Sequence, residues 1–163
     1  MSKHGGNIVN MAADMWGGMP GMGHSGAARS GVDNLTKTAS VEWGHAGVRV
    51  NCVAPGWIIS SGMDNYSGDF AKFIIPSLAG NVPLKRMGTE SEVSSAICYL
   101  LSDAAGFISG MTIRIDGAAS QGTRMYPLAD AKNSHSFNGF HRAFIPDVLK
   151  DELGKEAQDK NKD

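Results

Sequence analysis

Three short runs rich in β-branched residues, separated by two stretches with helical spacing, leave this chain very few folds. The runs are NIVNM (7–11), VRVNCVAP (48–55) and MTIRID (111–116). β-Branched side chains fit a pleated, buried surface, so each run reads as a strand. Between the first two, Ala28, Val32, Leu35, Ala39 and Trp43 recur at three and four residues. That spacing predicts a helix from Ser25 to about Gly44 with those five side chains as its apolar stripe. Ser25 stands where an N-cap would, and Gly44 and Gly47 are available as stops. Between the second and third runs, Thr89-x-x-Glu92 forms a capping box. It opens a second helix whose stripe is Val93, Ala96, Ile97, Leu100 and Leu101. Residues 57–83 contain Pro76 and Pro83 and are expected to form short helices or a lid.

Strand, helix, strand, helix, strand is the signature of an α/β fold with a parallel sheet and crossover helices. Three strands are few for a sheet buried on both faces. The expected architecture is therefore the C-terminal half of a doubly wound, Rossmann-like domain over residues 1–122, lacking the nucleotide-binding half. An extension over 123–163 follows. From Asp147 onward ten of seventeen residues are charged, so this end is expected to be partly disordered. Leu149, Leu153 and Ala157 could give it a weak amphipathic helix.

The formal net charge of -1 offers no attraction to nucleic acid or to an anionic membrane. No apolar run approaches the length of a membrane span, and no signal peptide is recognisable, which implies an intracellular protein. Cys52 and Cys98 lie in apolar runs without metal-ligand spacing and are expected to be buried, reduced thiols. No metal site is expected.

Gly21-x-Gly23-x-x-Gly26 matches the pattern of a dinucleotide-binding loop. Such a loop needs a strand running directly into it and an acidic residue at the end of the next strand. Here about ten residues separate the first strand from Gly21, and the next strand ends in Ala54-Pro55-Gly56. The glycines are therefore read as the entry to the long helix.

Three blocks together carry a family resemblance. They are GGNIVNMAA (5–13), the stretch from HSGAARSG to NCVAPGWI (24–58), and the stretch from PLKRMGTESE to RIDGAAS (83–120). In order and spacing they resemble the C-terminal half of the short-chain dehydrogenase/reductase family. The tyrosine-free HSGAAR block is most similar to the branch that contains peroxisomal trans-2-enoyl-CoA reductases, with the 2,4-dienoyl-CoA reductases nearby.

The resemblance implies a catalytic Tyr-x-x-x-Lys on the long helix, which here reads Ser25 and Arg29. It implies a serine after the first strand, which here is Ala12 or Ala13. Most members use the tyrosine as a proton donor to a carbonyl, with the lysine holding the nicotinamide ribose. Serine is a far poorer acid than a phenol of pKa about 10, which argues against a ketone or alcohol dehydrogenase. Reduction of an enoyl thioester asks for less, because fixed donors can stabilise the enolate oxygen. Ser25 is then either such a donor or a simple N-cap. Arg29 either holds the ribose or is a solvated helix residue.

The same resemblance makes Pro55, Gly56, Ile58 and Ser60 cofactor contacts in a PGxIxT-like segment. It makes Asp116-Gly117 a structural strand end near subunit contacts, NADPH the cofactor, an acyl-CoA the substrate, and a homo-oligomer, specifically a tetramer, the assembly. Peroxisomal location follows from resemblance alone, since Asn161-Lys162-Asp163 is not a Ser-Lys-Leu tripeptide. Met11, Met15, Met19 and Met22 are either an adaptable wall for an acyl chain or loop packing. A non-catalytic chain that only assembles with full-length subunits is the alternative of another class.

Overall fold

The structure, a computed structural model, describes residues 4–121, 127–131, 133–139 and 145–150. Its elements in chain order are β1 (Gly6–Met11), α1 (Gly23–Trp43), β2 (Val48–Pro55), β3 (Ile58–Ile59), α2 (Ile75–Ser77), β4 (Gly88–Thr89), α3 (Glu90–Leu101) and β5 (Thr112–Ile115). β1, β2 and β5 form one parallel sheet with β2 in the centre. The register runs Gly6 to Val48 through Met11 to Val53 on one side of β2, and Cys52 to Thr112 through Pro55 to Ile115 on the other. β3 and β4 make a separate two-residue parallel pair.

Side-chain alternation divides the core into two layers. Ile8, Ala12, Val48, Val50, Cys52 and Ala54 pack toward α1, through Val32 and Ala39. Val9, Val53, Ile113 and Ile115 pack toward α3, through Ala96, Ile97 and Leu100. The sheet is thus covered on both faces, as the near-continuous burial of β2 requires. Strands are added in one direction while α1 and α3 sit on opposite faces. The two crossovers must therefore differ in hand, and one of them departs from the right-handed rule.

Both long helices differ from expectation in detail. α1 begins at Gly23, Met22 occupies the cap position, and no side chain caps it. Ser25 is therefore inside the first turn and is not the N-cap. The apolar stripe is also rotated. Thr36 and Ala39 are buried, whereas Leu35 is 58% exposed and Ala28 and Trp43 face outward. Small side chains let the helix lie close to the sheet. The hydroxyl of Thr36 is satisfied there, accepting from Asn10 Nδ2 at 2.9 Å and donating to the Val32 carbonyl at 2.8 Å. In α3 the capping box forms as read, but Leu101 is exposed. Cys52 is buried, and Cys98 is exposed on α3, which corrects the expectation of two buried thiols.

Residues 61–81 fold as a chain of short helical turns. They bury Met63, Ile75 and Leu78 against Met87 and against Leu149 from the end of the described chain. Residues 147–150 are helical, and Leu153 and Ala157 lie outside the described residues. No helix among the described residues is long and apolar enough to cross a membrane, and no group of three metal-ligating side chains occurs among them.

Candidate active site at the strand carboxyl ends

α1 runs antiparallel to the strands it covers. Ala39 packs on Val48 and Val50 at the start of β2, and Val32 packs on Ala12, Cys52 and Ala54 at the other end. Residues 25, 29, 32, 36 and 39 are spaced four and three apart and so form one stripe of the helix. At 1.5 Å per residue, Arg29 lies about 4.5 Å and Ser25 about 10.5 Å beyond Val32 along the axis. Both therefore stand on the sheet-facing stripe, at or past the carboxyl ends of β1 and β2. Both are half-buried, while Ala27, Ala28 and Ser30 beside them are exposed. Arg29 Nε is buried and has no hydrogen-bond partner among the described residues. A buried N–H of a cation without an acceptor costs stability. It fits a group carrying oxygen atoms, such as a ribose, over the strand ends.

On the α3 side of the same strand ends lies a cavity of about 610 Å³. Met11, Ala12 and Ala13 line it from β1, and Pro55, Gly56, Ile58 and Ser60 from the end of β2. Met63 and Tyr66 close it from the helical turns, and Glu90, Val93, Ser94 and Ile97 from α3. The structure thus brings together four of the expected cofactor contacts, Pro55, Gly56, Ile58 and Ser60. Ser25 and Arg29 do not line this cavity, and they approach the strand ends from the opposite face. Ala12 and Ala13, which stand where the resemblance implies a serine, put only methyl groups there.

Gly56 has an internal reason to be glycine. A Cβ built on it would lie 2.8 Å from Asp116 Cβ and 2.9 Å from Asp116 Cα. Its N–H already donates to the Ile115 carbonyl at 3.0 Å. Close packing of β2 on the end of β5 thus accounts for this residue, and its N–H is not available to a cofactor. Gly117, at φ +60°, meets the same kind of constraint, since a Cβ there would lie 2.6 Å from Val82 Cγ1.

The loop from β1 to α1 is tied down at several points. Asp14 N donates to the Pro55 carbonyl at 3.2 Å. The guanidinium of Arg114 lies over the Trp16 ring at 3.8 Å and donates to Ser120 Oγ at 3.3 Å. Burial, with the nearby Asp116 carboxylate, pushes the Asp14 carboxyl up against the opposing effects of the Trp16 N–H and Arg114. Of the loop methionines, Met15 Sδ accepts from Ser30 Oγ at 3.3 Å, and Met19 lies against Gly26. Met11 lines the cavity, and Met22 is exposed. Only Met11 therefore has the position of an acyl wall.

The sequence reading missed Met63, Tyr66, Glu90, Val93 and Ser94. Tertiary placement brings them to the cavity, and no local pattern marks them. Ala12 and Ala13 were singled out by the resemblance, as the place of the family's serine after the first strand.

The family model described as Enoyl-(Acyl carrier protein) reductase matches residues 1–120. A Bacillus subtilis relative named for 2,4-dienoyl-CoA reductase activity is 41% identical over 128 residues, covering 77% of this chain and 49% of the relative. The peroxisomal 2,4-dienoyl-CoA reductase of Saccharomyces cerevisiae is 34% identical over 143 residues, covering 83% of this chain and 48% of that protein. The structure of a citronellol catabolism dehydrogenase from Pseudomonas aeruginosa superposes with a TM-score of 0.61 at 66% identity, over 74% of this chain and 45% of that one. The chain spans about half the length of the curated relatives it matches.

Proposed function

Because this chain belongs to the short-chain dehydrogenase/reductase family, we propose that it supplies the catalytic half-site of an NADPH-dependent reductase that saturates the trans-2 double bond of enoyl-CoA thioesters in fatty-acid metabolism. The observation that carries this reading is the pair Ser25 and Arg29 on the sheet-facing stripe of α1, where most members of the family have tyrosine and lysine. Residues 1–122 form the partial reductase domain, and the family match ending at residue 120 supports that boundary. Residues 123–163 form an extension to it.

The chemistry follows from what these side chains can do. A reduced nicotinamide, when bound, supplies a hydride to the β-carbon of the thioester. Arg29, whose Nε has no partner among the described residues, would hold the ribose and contributes a permanent positive charge. Ser25 donates a hydrogen bond to the thioester oxygen, where negative charge gathers as the enolate forms. No strong acid is required at that oxygen, because the α-carbon takes its proton afterwards, from water. A carbonyl substrate would need a proton on the alkoxide itself, which serine supplies poorly. Pro55, Gly56, Ile58 and Ser60, which line one cavity, would hold the nicotinamide end of the cofactor, with Gly56 contributing shape and its carbonyl. Met11, Ile58, Met63 and Tyr66 offer an apolar surface to the acyl chain.

The names of the curated relatives favour a second reading, 2,4-dienoyl-CoA as substrate. The exposed Leu35 and Val41 on the outer side of α1 support a homo-oligomer in which this helix meets its counterpart. Peroxisomal location is supported by the name of the yeast relative, while the name of the bacterial one gives no location. The test is oxidation of NADPH by crotonyl-CoA and by 2,4-hexadienoyl-CoA, using the chain together with the amino-terminal half of its dienoyl-CoA reductase relative. Turnover of crotonyl-CoA supports the first reading. Turnover of the dienoyl ester alone supports the second.

A further inference from the structure

The described parts of the segment after β5 return to two places, the start of α3, beside the cavity lining, and the helical turns that carry Met63. At the start of α3, Thr89 Oγ1 donates to the Phe137 carbonyl at 2.6 Å, and Phe137 N donates to Glu92 Oε1 at 3.4 Å. Arg86 Nε donates to Ser134 Oγ at 2.8 Å while its other nitrogens fork onto the Glu92 carboxylate at 2.9 and 2.6 Å. At the wall of helical turns, Asp147 N donates to Asp64 Oδ1 at 2.9 Å, and Leu149 is 3% exposed in a cluster with Met63, Ile75, Leu78 and Met87. Met63 belongs to both structures. It packs in the Leu149 cluster and also lines the cavity, as do Val93 and Ser94 of α3.

We propose that Leu149 is a specificity-determining residue: by backing Met63, it sets the depth of the cavity and hence the longest acyl chain the site accepts. This rests on the reading of the cavity as an acyl-chain site. The physical basis is that close-packed side chains transmit a change of volume to their neighbours. Methionine, being unbranched, moves into space vacated behind it. Truncating Leu149 lets Met63 withdraw and deepens the cavity by a few carbon atoms. Enlarging it pushes Met63 inward. Each further methylene buried is worth about fourfold in affinity, so the effect on chain length is measurable.

The experiment is calorimetric titration of the full chain with enoyl-CoA esters of increasing length and, in parallel, with the matching free fatty acids. It is run on wild type, Leu149→Ala and Leu149→Phe. Leu149→Val removes a single methylene and serves if the alanine variant does not fold. The expected result is that Leu149→Ala binds the longest ligands about tenfold more tightly relative to the shortest, while Leu149→Phe moves the preference the opposite way. Thermal midpoints are recorded alongside, because a purely structural role would lower them and leave the length profile unmoved. An unmoved profile in folded variants overturns the proposal, and so does a wild-type chain that binds neither series. Binding of fatty acids with the expected shifts but of no CoA ester sustains the role of Leu149 and rejects the acyl-CoA reading.

Discussion

A guanidinium nitrogen buried without an acceptor is a standing cost, of about 1–3 kcal/mol for a polar group. Arg29 Nε carries that cost in this chain. The proposed return is a ribose oxygen. Arg29→Ala should therefore weaken NADPH binding about tenfold, read by cofactor fluorescence in the presence of the amino-terminal half, and unchanged binding would make Arg29 a helix residue without a ligand. A second residue-scale expectation concerns how α1 is held. Thr36→Val keeps the shape of the side chain but leaves Asn10 Nδ2 without its acceptor. It should cost about 1–3 kcal/mol in denaturant unfolding. At this scale Ser25 and Arg29 were singled out by the family resemblance, which aligns them with the usual tyrosine and lysine; the local pattern by itself marked Ser25 only as an N-cap, a position that Met22 takes. The burial of Thr36 was not legible, because a hydroxyl enters a helix–sheet contact only when a partner such as Asn10 waits there. Gly56 was legible as a glycine that something approaches closely, but the approaching group is Asp116 of this same chain.

The elements were more legible than the surfaces they bury. Strands at 7–11, 48–55 and 111–116 followed from β-branched runs, and the Thr89–Glu92 box marked the start of α3 within a residue. The stripe of α1 was misplaced because Leu35 and Trp43 are apolar yet face outward, so periodicity alone selected a neighbouring face. The opposite hands of the two crossovers have no local signal at all. The start of α3 also yields a pH expectation. Burial alone would raise the Glu92 carboxyl, but the Arg86 pair and the N–H groups of Thr89 and Phe137 outweigh it and hold it below the ordinary carboxylate range. A carboxyl with a lowered folded pKa contributes its full stability above its unfolded value, about 4.3, and loses it as the pH falls through the folded value. Glu92→Gln should then cost about 2 kcal/mol at neutral pH. It should also flatten the loss of stability in acid, as followed by thermal unfolding across the carboxylate range. Equal acid sensitivity in the variant would mean that Glu92 is not among the groups responsible.

In the whole molecule, two half-sites approach the same strand ends from opposite faces of one sheet. α1 brings a charge and a hydroxyl. The β2–β3 turn, the short helical turns and α3 line an open, mostly apolar cavity. Class and architecture were readable because strand and helix signals alternate. The cavity was not, because its walls come from segments up to about 85 residues apart, joined only by folding. The functional proposal turns on what this arrangement lacks: no tyrosine faces the strand ends from α1. The decisive measurement offers NADPH, with the chain and the amino-terminal half of its relative, a choice between crotonyl-CoA and acetoacetyl-CoA, with Ser25→Ala and Arg29→Ala as controls. Consumption of NADPH with crotonyl-CoA but not with acetoacetyl-CoA, reduced at least about tenfold in either variant, is the expected result. Reduction of the acetoacetyl ketone at a comparable rate would contradict the assignment of Ser25 and Arg29 to carbon–carbon double-bond chemistry.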